Sequence, residues 1–201
     1  YGTTSTVIHP PVDINSFHLT KIKGDYFVMA GQLVPYKRPE LAILAFNQLK
    51  IPLKVIGTGE MLENLKKIAK SNIEILGYVN DGEYSKVISS ARALIFPGVE
   101  DFGIVPVEAQ ASGTPVIALE EGGALETVKG FRTNDIPMEN QSYTGIFFQQ
   151  PTVDNLISAV KQFEKYETIF THENCQINAR KFSKENFRTS FMELIDRILI
   201  K

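Results

Sequence analysis

Six short, predominantly apolar runs punctuate this chain, and stretches of helical length separate them. The runs are "YFVMA" (26–30), "LKVIG" (53–57), "IEIL" (73–76), "ALIF" (93–96), "PVIAL" (115–119) and "GIFF" (145–148). A strand with one wet face alternates apolar and polar residues, whereas a run that is apolar nearly throughout is covered on both faces. Between the runs, "PELAILAFNQL", "EMLENLKKIAK", "DGEYSKVISSA", "IVPVEAQAS" and "ALETVKG" are each compatible with a helix. Buried strands alternating with helices are βαβ units. The pattern predicts an α/β fold, a Rossmann-like, doubly wound parallel sheet of about six strands.

The flanks read differently. "VIHPPVDINSFH" (7–18) is Pro-rich and irregular, as a linker leading into a domain would be. Two helices are predicted at the other end. "PTVDNLISAVKQFEKYE" (151–167) opens on a Thr cap, and "SKENFRTSFMELIDRILI" (183–200) opens on Ser183 and places Phe187, Phe191, Leu194, Ile195 and Ile198 on one face. "FRTNDIPMENQSYTG" (131–145) is polar and patternless, which reads as a mobile loop. The formal net charge of the 201 residues is −2, without the basic excess of a nucleic-acid-binding domain. Cys175 is the only cysteine, so an internal disulfide or cysteine metal cluster is excluded, and a reducing compartment is compatible. No apolar run reaches the length of a membrane span and no signal peptide is visible. The first residue is Tyr1, so the chain is expected to be part of something longer.

In a doubly wound sheet the ligand sits beyond the carboxyl ends of the strands, where the strand order switches. The loops there are "GQLVPYKRP", "GTGE", "GYVND", "PGVEDFG" and "LEEGGA", and their glycines are places where a ligand can approach the backbone. "GTGE" (57–60) reads either as a phosphate loop built on Gly57 or as a tight strand-to-helix turn; it lacks the third glycine of the dinucleotide fingerprint. Lys37 and Arg38 precede Pro39, which suits the first position of a helix. Cations there oppose the helix macrodipole unless an anion shares the site, so the pair reads either as a phosphate contact or as a solvated loop.

"EDFGIVPVEAQASGTPVIA" (100–118) is the most informative stretch. Pro106 is tolerated only in a first turn, so a helix should begin near Ile104, with Gly103 at its mouth and free N–H groups forming an anion site. Glu100 precedes the helix, and Glu108 lies about 6 Å further along it. Glu108 has no evident partner and stands among residues typical of buried packing. A carboxylate beyond an anion site suits two neighbouring hydroxyls, as a ribose presents, and Glu100 on the other side suits the hydroxyls of a second sugar. Sugar, diphosphate and ribose together describe a nucleotide sugar.

"EDFGIVPVEAQASGTPVIALEEGGALETV", with "LVPYKR", resembles the donor-site segment of retaining GT-B glycosyltransferases with a Glu-x7-Glu motif, in particular the mannosyltransferases of polysaccharide and O-antigen assembly. The resemblance runs from "VIHPPVD" through "FSKENF". It implies the C-terminal, donor-binding half of a two-domain enzyme: an interdomain linker over 1–22, the nucleotide-sugar domain over 23–182, and a helix over 183–201 that returns toward the other half. It implies a donor that is GDP-mannose or, alternatively, a UDP-sugar, no further cofactor, and a glycan or lipid-linked glycan acceptor held by the other half. It also implies a cytoplasmic enzyme, at the inner membrane face only through the full-length protein, and an isolated half without activity.

By resemblance, Glu100 lies near the transferred sugar, with Asp101 beside it. Phe102, Gly103 and Ile104 offer backbone N–H groups to sugar and diphosphate, Lys37 contacts the diphosphate, and Glu108 holds the ribose. Gly77, Tyr78 and Val79 line the base pocket. The chain departs from the family at Gln32, where arginine is common; Gln32 donates hydrogen bonds but carries no charge, and the charge of Arg38 stands at a different spacing. Glu100 and Lys37 are the expected catalytic pair. With one glutamate assigned to ribose, the two are not a glycosidase acid and nucleophile. The chain has no Asp-x-Asp and no His cluster to hold a metal, and His9, His18 and His172 read as surface or linker residues. Gly122 and Gly123 read as a turn facing the same site, and Glu126 as an acid placed well in a helix's first turn. Three rival readings predict different behaviour: a binding module without catalysis, a GT-B sugar-nucleotide epimerase that needs no acceptor, and a regulatory domain with no nucleotide affinity.

Overall fold

The computed structural model describes residues 5–20 and 23–199. Positions 1–4 and 21–22 of the expected linker, and 200–201 of the expected final helix, lie outside the described residues.

The apolar runs form strands β1 (Phe27–Ala30), β2 (Leu53–Ile56), β3 (Ile73–Gly77), β4 (Leu94–Phe96), β5 (Val116–Leu119) and β7 (Gly145–Phe148). The sheet has seven strands rather than six. The additional β6 (Gly130–Arg132) pairs with β7 inside the stretch read as a loop. Three residues are too few to show a period, and Phe131 is buried between exposed or half-exposed neighbours. Beyond it, Thr133 and Asp135 are held to neighbouring elements, whereas 136–142 have no regular structure and are largely exposed. Thr133 Oγ1 donates to the Phe147 carbonyl at 2.9 Å, and Gln162 Nε2 donates to the Asp135 carbonyl at 2.7 Å.

All pairings are parallel, in the order β3-β2-β1-β4-β5-β7-β6. The chain winds outward from β1 to β3, then returns to start β4 on the other side of β1. The switch point therefore lies between β1 and β4.

Helices α1 (Pro39–Leu49) and α6 (Val153–Lys165) cover one face of the sheet, with α2 (Leu62–Ile68) beside α1. Phe27 meets Phe46 and Phe163 edge-on there, at ring distances of 5.3 and 5.7 Å. On the other face Val28, Ala30, Leu94 and Phe96 pack with Val87 and Ile88 of α3 (Asp81–Ser90), Ala109 of α4 (Ile104–Ala111), and Ala124 of the four-residue α5 (Ala124–Thr127). Caps act as the sequence predicts: Thr152 accepts from the Asn155 amide and Ser183 from the Asn186 amide.

A further helix, α7 (His172–Arg180), packs on α4. The leading segment docks beside it: the buried Val12 donates to the Phe182 carbonyl at 2.8 Å and bridges Ser183. Helix α8 (Lys184–Leu199) follows and buries none of its residues. No helix among the described residues is long and apolar enough to cross a membrane.

Candidate active site

Two loops meet at the switch point. After β1 the chain passes through a 3-10 turn, Pro35–Lys37, and a left-handed Arg38 (φ 50°, ψ 46°) before α1. After β4 it passes through Pro97–Phe102 to Gly103 at the start of α4. A Cβ on Gly98 would lie 2.7 Å from Lys37 Cα, so glycine there lets the loops press together. That contact places Lys37 Nζ 2.9 Å from Glu100 Oε1, both side chains being mostly buried. Oε1 is itself buried and its contact with the ammonium lacks hydrogen-bond alignment, so it keeps acceptor capacity. The charge of Lys37 is thus matched in the free chain by Glu100.

Gly103 adopts φ +89°, a backbone that side chains rarely tolerate, and turns the chain into α4. The amides of Phe102, Gly103 and Ile104 donate no backbone hydrogen bond among the described residues. They are the orphan donors expected at a helix start, and the helix dipole adds partial positive charge there. Phe102 turns its ring away, stacking on His9 at 5.5 Å and meeting Phe182 edge-on at 5.4 Å, so what it offers the site is backbone.

Two clefts border α4, one at its first turn and one at Glu108, a turn further along. One, of about 620 Å³, is lined by Tyr36, Lys37, Glu100, Asp101, Gly103 and Ile104 among others. The second, of about 510 Å³, is lined by Asp13, Phe17, Val79, Asp81, Tyr84 and Glu108 among others. Glu108 was expected to be unpartnered, and the structure corrects this. Tyr84 of α3 donates to its Oε2 at 2.6 Å, while Oε1 has no protein donor among the described residues. Burial holds the Glu108 carboxyl above the usual carboxylate range, the nearby Asp81 charge adds to this, and the Tyr84 hydroxyl opposes it. The same burial, with the Glu108 charge, pushes the Tyr84 phenol up, so it stays a donor.

The structure thus gathers Lys37, Glu100, Asp101, Phe102, Gly103 and Ile104 in one cleft, and Val79 and Glu108 in the other. Gln32, Arg38, Gly57 and Tyr78 line neither. Gln32 is exposed, Tyr78 is 81% exposed beyond β3, and Arg38 Nη1 donates to the Pro97 carbonyl at 3.3 Å. Most loop glycines clear space for one another rather than for a ligand. A Cβ on Gly57 would collide with the Gly31 carbonyl, one on Gly59 with Leu33, and one on Gly123 with the Phe102 backbone. Gly77 differs, with open space beside it. Tyr84 is the site residue that sequence reasoning missed. Its sole signal was a position three residues after Asp81, which puts both on one side of α3. A larger concavity, about 760 Å³, lies at the far β6 edge around Glu120, Phe131 and Tyr143 and holds none of these residues.

Comparison with known proteins shows the family of the chain. Residues 13–182 match the family model described as glycosyl transferases group 1. The chain belongs to this family. Its curated relatives include the alpha-1,3/1,6-mannosyltransferase ALG2 of Kluyveromyces lactis, 30% identical over 92% of this chain and 37% of that protein. Another is the O-antigen chain mannosyltransferase RfbU of Salmonella typhimurium, 25% identical over 84% of this chain and 50% of that protein. This group 1 chain therefore spans half or less of the length of those relatives, whose mannosyltransferase character agrees with the resemblance read in the sequence. Among solved structures, Anabaena HepE in complex with UDP and glucose superposes with a TM-score of 0.77 over 95% of this chain and 56% of its own, at 18% identity. That likeness is one of fold: the seven-stranded sheet matches the C-terminal half of GT-B structures.

Proposed function

We propose that this group 1 domain is the donor-binding half of a retaining hexosyltransferase that takes mannose from a nucleotide-sugar and delivers it to a glycan or lipid-linked glycan held by the rest of a longer enzyme. The observation that carries the reading is the grouping at the switch point: Lys37 against Glu100, the open amides of α4 beside them, and Glu108 one turn along. The mannosyltransferase relatives support the sugar, and the solved complex with UDP and glucose supports a nucleotide and a sugar in this fold.

In this reading the diphosphate lies at the α4 N-terminus against Lys37, the ribose on Glu108, and the base beside Gly77, Tyr78 and Val79. Cleaving the bond from sugar C1 to the diphosphate builds negative charge on the leaving oxygen and oxocarbenium character on the sugar. Lys37 and the α4 amides stabilise the first, and Glu100 orients the sugar and stabilises the second. Donor binding separates Lys37 from exclusive pairing with Glu100, because the diphosphate competes for the ammonium. The leaving phosphate takes the acceptor's proton on the same face, so the configuration at C1 is retained and no separate base is needed. GDP-mannose is the favoured donor and a UDP-sugar the alternative. Without the acceptor half, the chain binds donor and transfers nothing.

Calorimetry with GDP-mannose, GDP, UDP-glucose and UDP tests this. One nucleotide series should bind, and Lys37→Ala and Glu108→Ala should each weaken it about tenfold or more, since each removes a charge-assisted contact. A folded chain that binds none of the four, or binds equally well after both substitutions, contradicts the reading.

A further inference from the structure

We infer that Tyr84 is a positioning residue for the ribose contact: its hydroxyl clamps one oxygen of Glu108 and leaves the other to meet the two hydroxyls of a nucleotide. The inference rests on the donor-site reading above and adds a residue to it.

Glu108 projects from α4 and Tyr84 from α3, and the 2.6 Å hydrogen bond between them spans the second cleft's inner wall. A glutamate has three rotatable bonds, and a carboxylate that must face two adjacent hydroxyls needs its plane fixed. A second donor on one oxygen supplies that. Tyr84 suits the task because its ring has little freedom of its own. Phe17 of the leading segment meets it edge-on at 6.1 Å, and the neighbouring Ser85 lies against the same segment, its Oγ 3.5 Å from the Ser16 carbonyl. Oε2 is occupied by Tyr84, whereas Oε1 is without a protein donor among the described residues. The second oxygen is not sealed in the core but borders the open cleft, where a ligand's hydroxyls can reach it.

The charges around the carboxylate define what else the hydroxyl does. Asp81 on α3 and Asp13 on the leading segment line the same cleft, and among the described residues no lysine or arginine lines it. Lys184 of α8 pairs with Asp13 at 2.6 Å, which leaves Asp81 as the repulsive neighbour. Among the described residues, the Tyr84 hydroxyl favours the ionised form of Glu108. Loss of the hydroxyl both frees the carboxylate and raises its proton affinity further, so the effect on a ligand that needs the anion grows as pH falls.

The test compares GDP and UDP with their 2′,3′-dideoxy counterparts on the wild-type chain, Tyr84→Phe and Glu108→Gln, from pH 5.5 to 8. Phenylalanine keeps the ring against Phe17, and thermal melting verifies the fold. The expected result is that Tyr84→Phe lowers affinity for the ribonucleotide about tenfold at neutral pH and more at pH 5.5, and leaves the dideoxy affinity unchanged. Glu108→Gln should abolish the preference for the ribonucleotide. If Tyr84→Phe binds the ribonucleotide like the wild type, or loses both forms equally, Tyr84 is packing alone and the inference fails while the donor reading stands. If Glu108→Gln keeps the full preference, or the folded wild-type chain binds no nucleotide, the donor reading fails and takes the inference with it.

Discussion

Lys37 and Glu100 are mutually dependent in the free chain. Both are mostly buried, so removing one partner leaves the other as an uncompensated charge, whereas removing both does not. Lys37→Ala should therefore cost about 1–3 kcal/mol of stability, discounted from a fully buried pair, and Lys37→Ala with Glu100→Gln should cost less than the two single changes summed. A double-mutant cycle by urea unfolding measures the coupling. Glu108 works in the opposite direction. Its folded carboxyl titrates above the ordinary value because of burial, so the fold favours the protonated form. That contribution is complete below the ordinary glutamate value and is lost as pH rises through the raised one. At pH 7 Glu108 is a burden on stability. Glu108→Gln should raise Tm there by a few degrees, with about 2–4 °C corresponding to 1 kcal/mol in a domain of this size, and the gain should vanish toward pH 4. The same substitution should weaken nucleotide binding, so stability and affinity move apart.

At the scale of elements, the loops are fitted to each other backbone to backbone. Gly98 is the clearest case, because its close approach to Lys37 involves no unusual φ and is purely steric. Gly98→Ala should displace Lys37, lowering nucleotide affinity about tenfold or more while the far-UV spectrum stays native. On the sheet face covered by α1 and α6, Phe163→Ala should cost about 3–5 kcal/mol by opening a cavity between α6 and Phe27. The elements that carry such contacts were legible wherever they were long or predominantly apolar. β1, β4, β5 and β7 announce themselves as unbroken apolar runs, β2 and β3 as runs interrupted once each by Lys54 and Glu74, and α1 and α6 by length and, for α6, its Thr cap. β6 was not legible, because three residues show no period and its partner lies across a loop. Nor was α7, "HENCQINAR", whose buried residues are Cys175, Asn178 and Ala179: it packs on α4 through small and polar groups, not an apolar stripe. Within the candidate site, the nearness of Lys37 and Gly103 to helix starts follows from local rules, and the place of Glu108 from its spacing to Glu100 along α4. The Tyr84–Glu108 bond could not, because it joins two helices 24 residues apart in sequence. The glycines were legible as close approaches but not as to what approaches them.

At the scale of the molecule, the core closes without α8. That helix buries nothing, its Phe187 and Phe191 stack on each other at 5.8 Å, and Phe191, Met192, Ile198 and Leu199 are exposed. Ending the chain after Phe187, which keeps Lys184 paired with Asp13, should therefore leave Tm within a few degrees and nucleotide affinity unchanged, which differential scanning calorimetry and titration would verify. The core belongs to the sheet and the layers on its two faces, and the site belongs to the switch point between β1 and β4. The account stands or falls on where a nucleotide-sugar binds relative to that point, so the most direct measurement is a crystal structure of the chain soaked with GDP-mannose or, failing occupancy, a UDP-sugar. The account predicts diphosphate density at the α4 N-terminus against Lys37 and a ribose on Glu108. Density confined to another concavity, such as the one at the β6 edge, would contradict it.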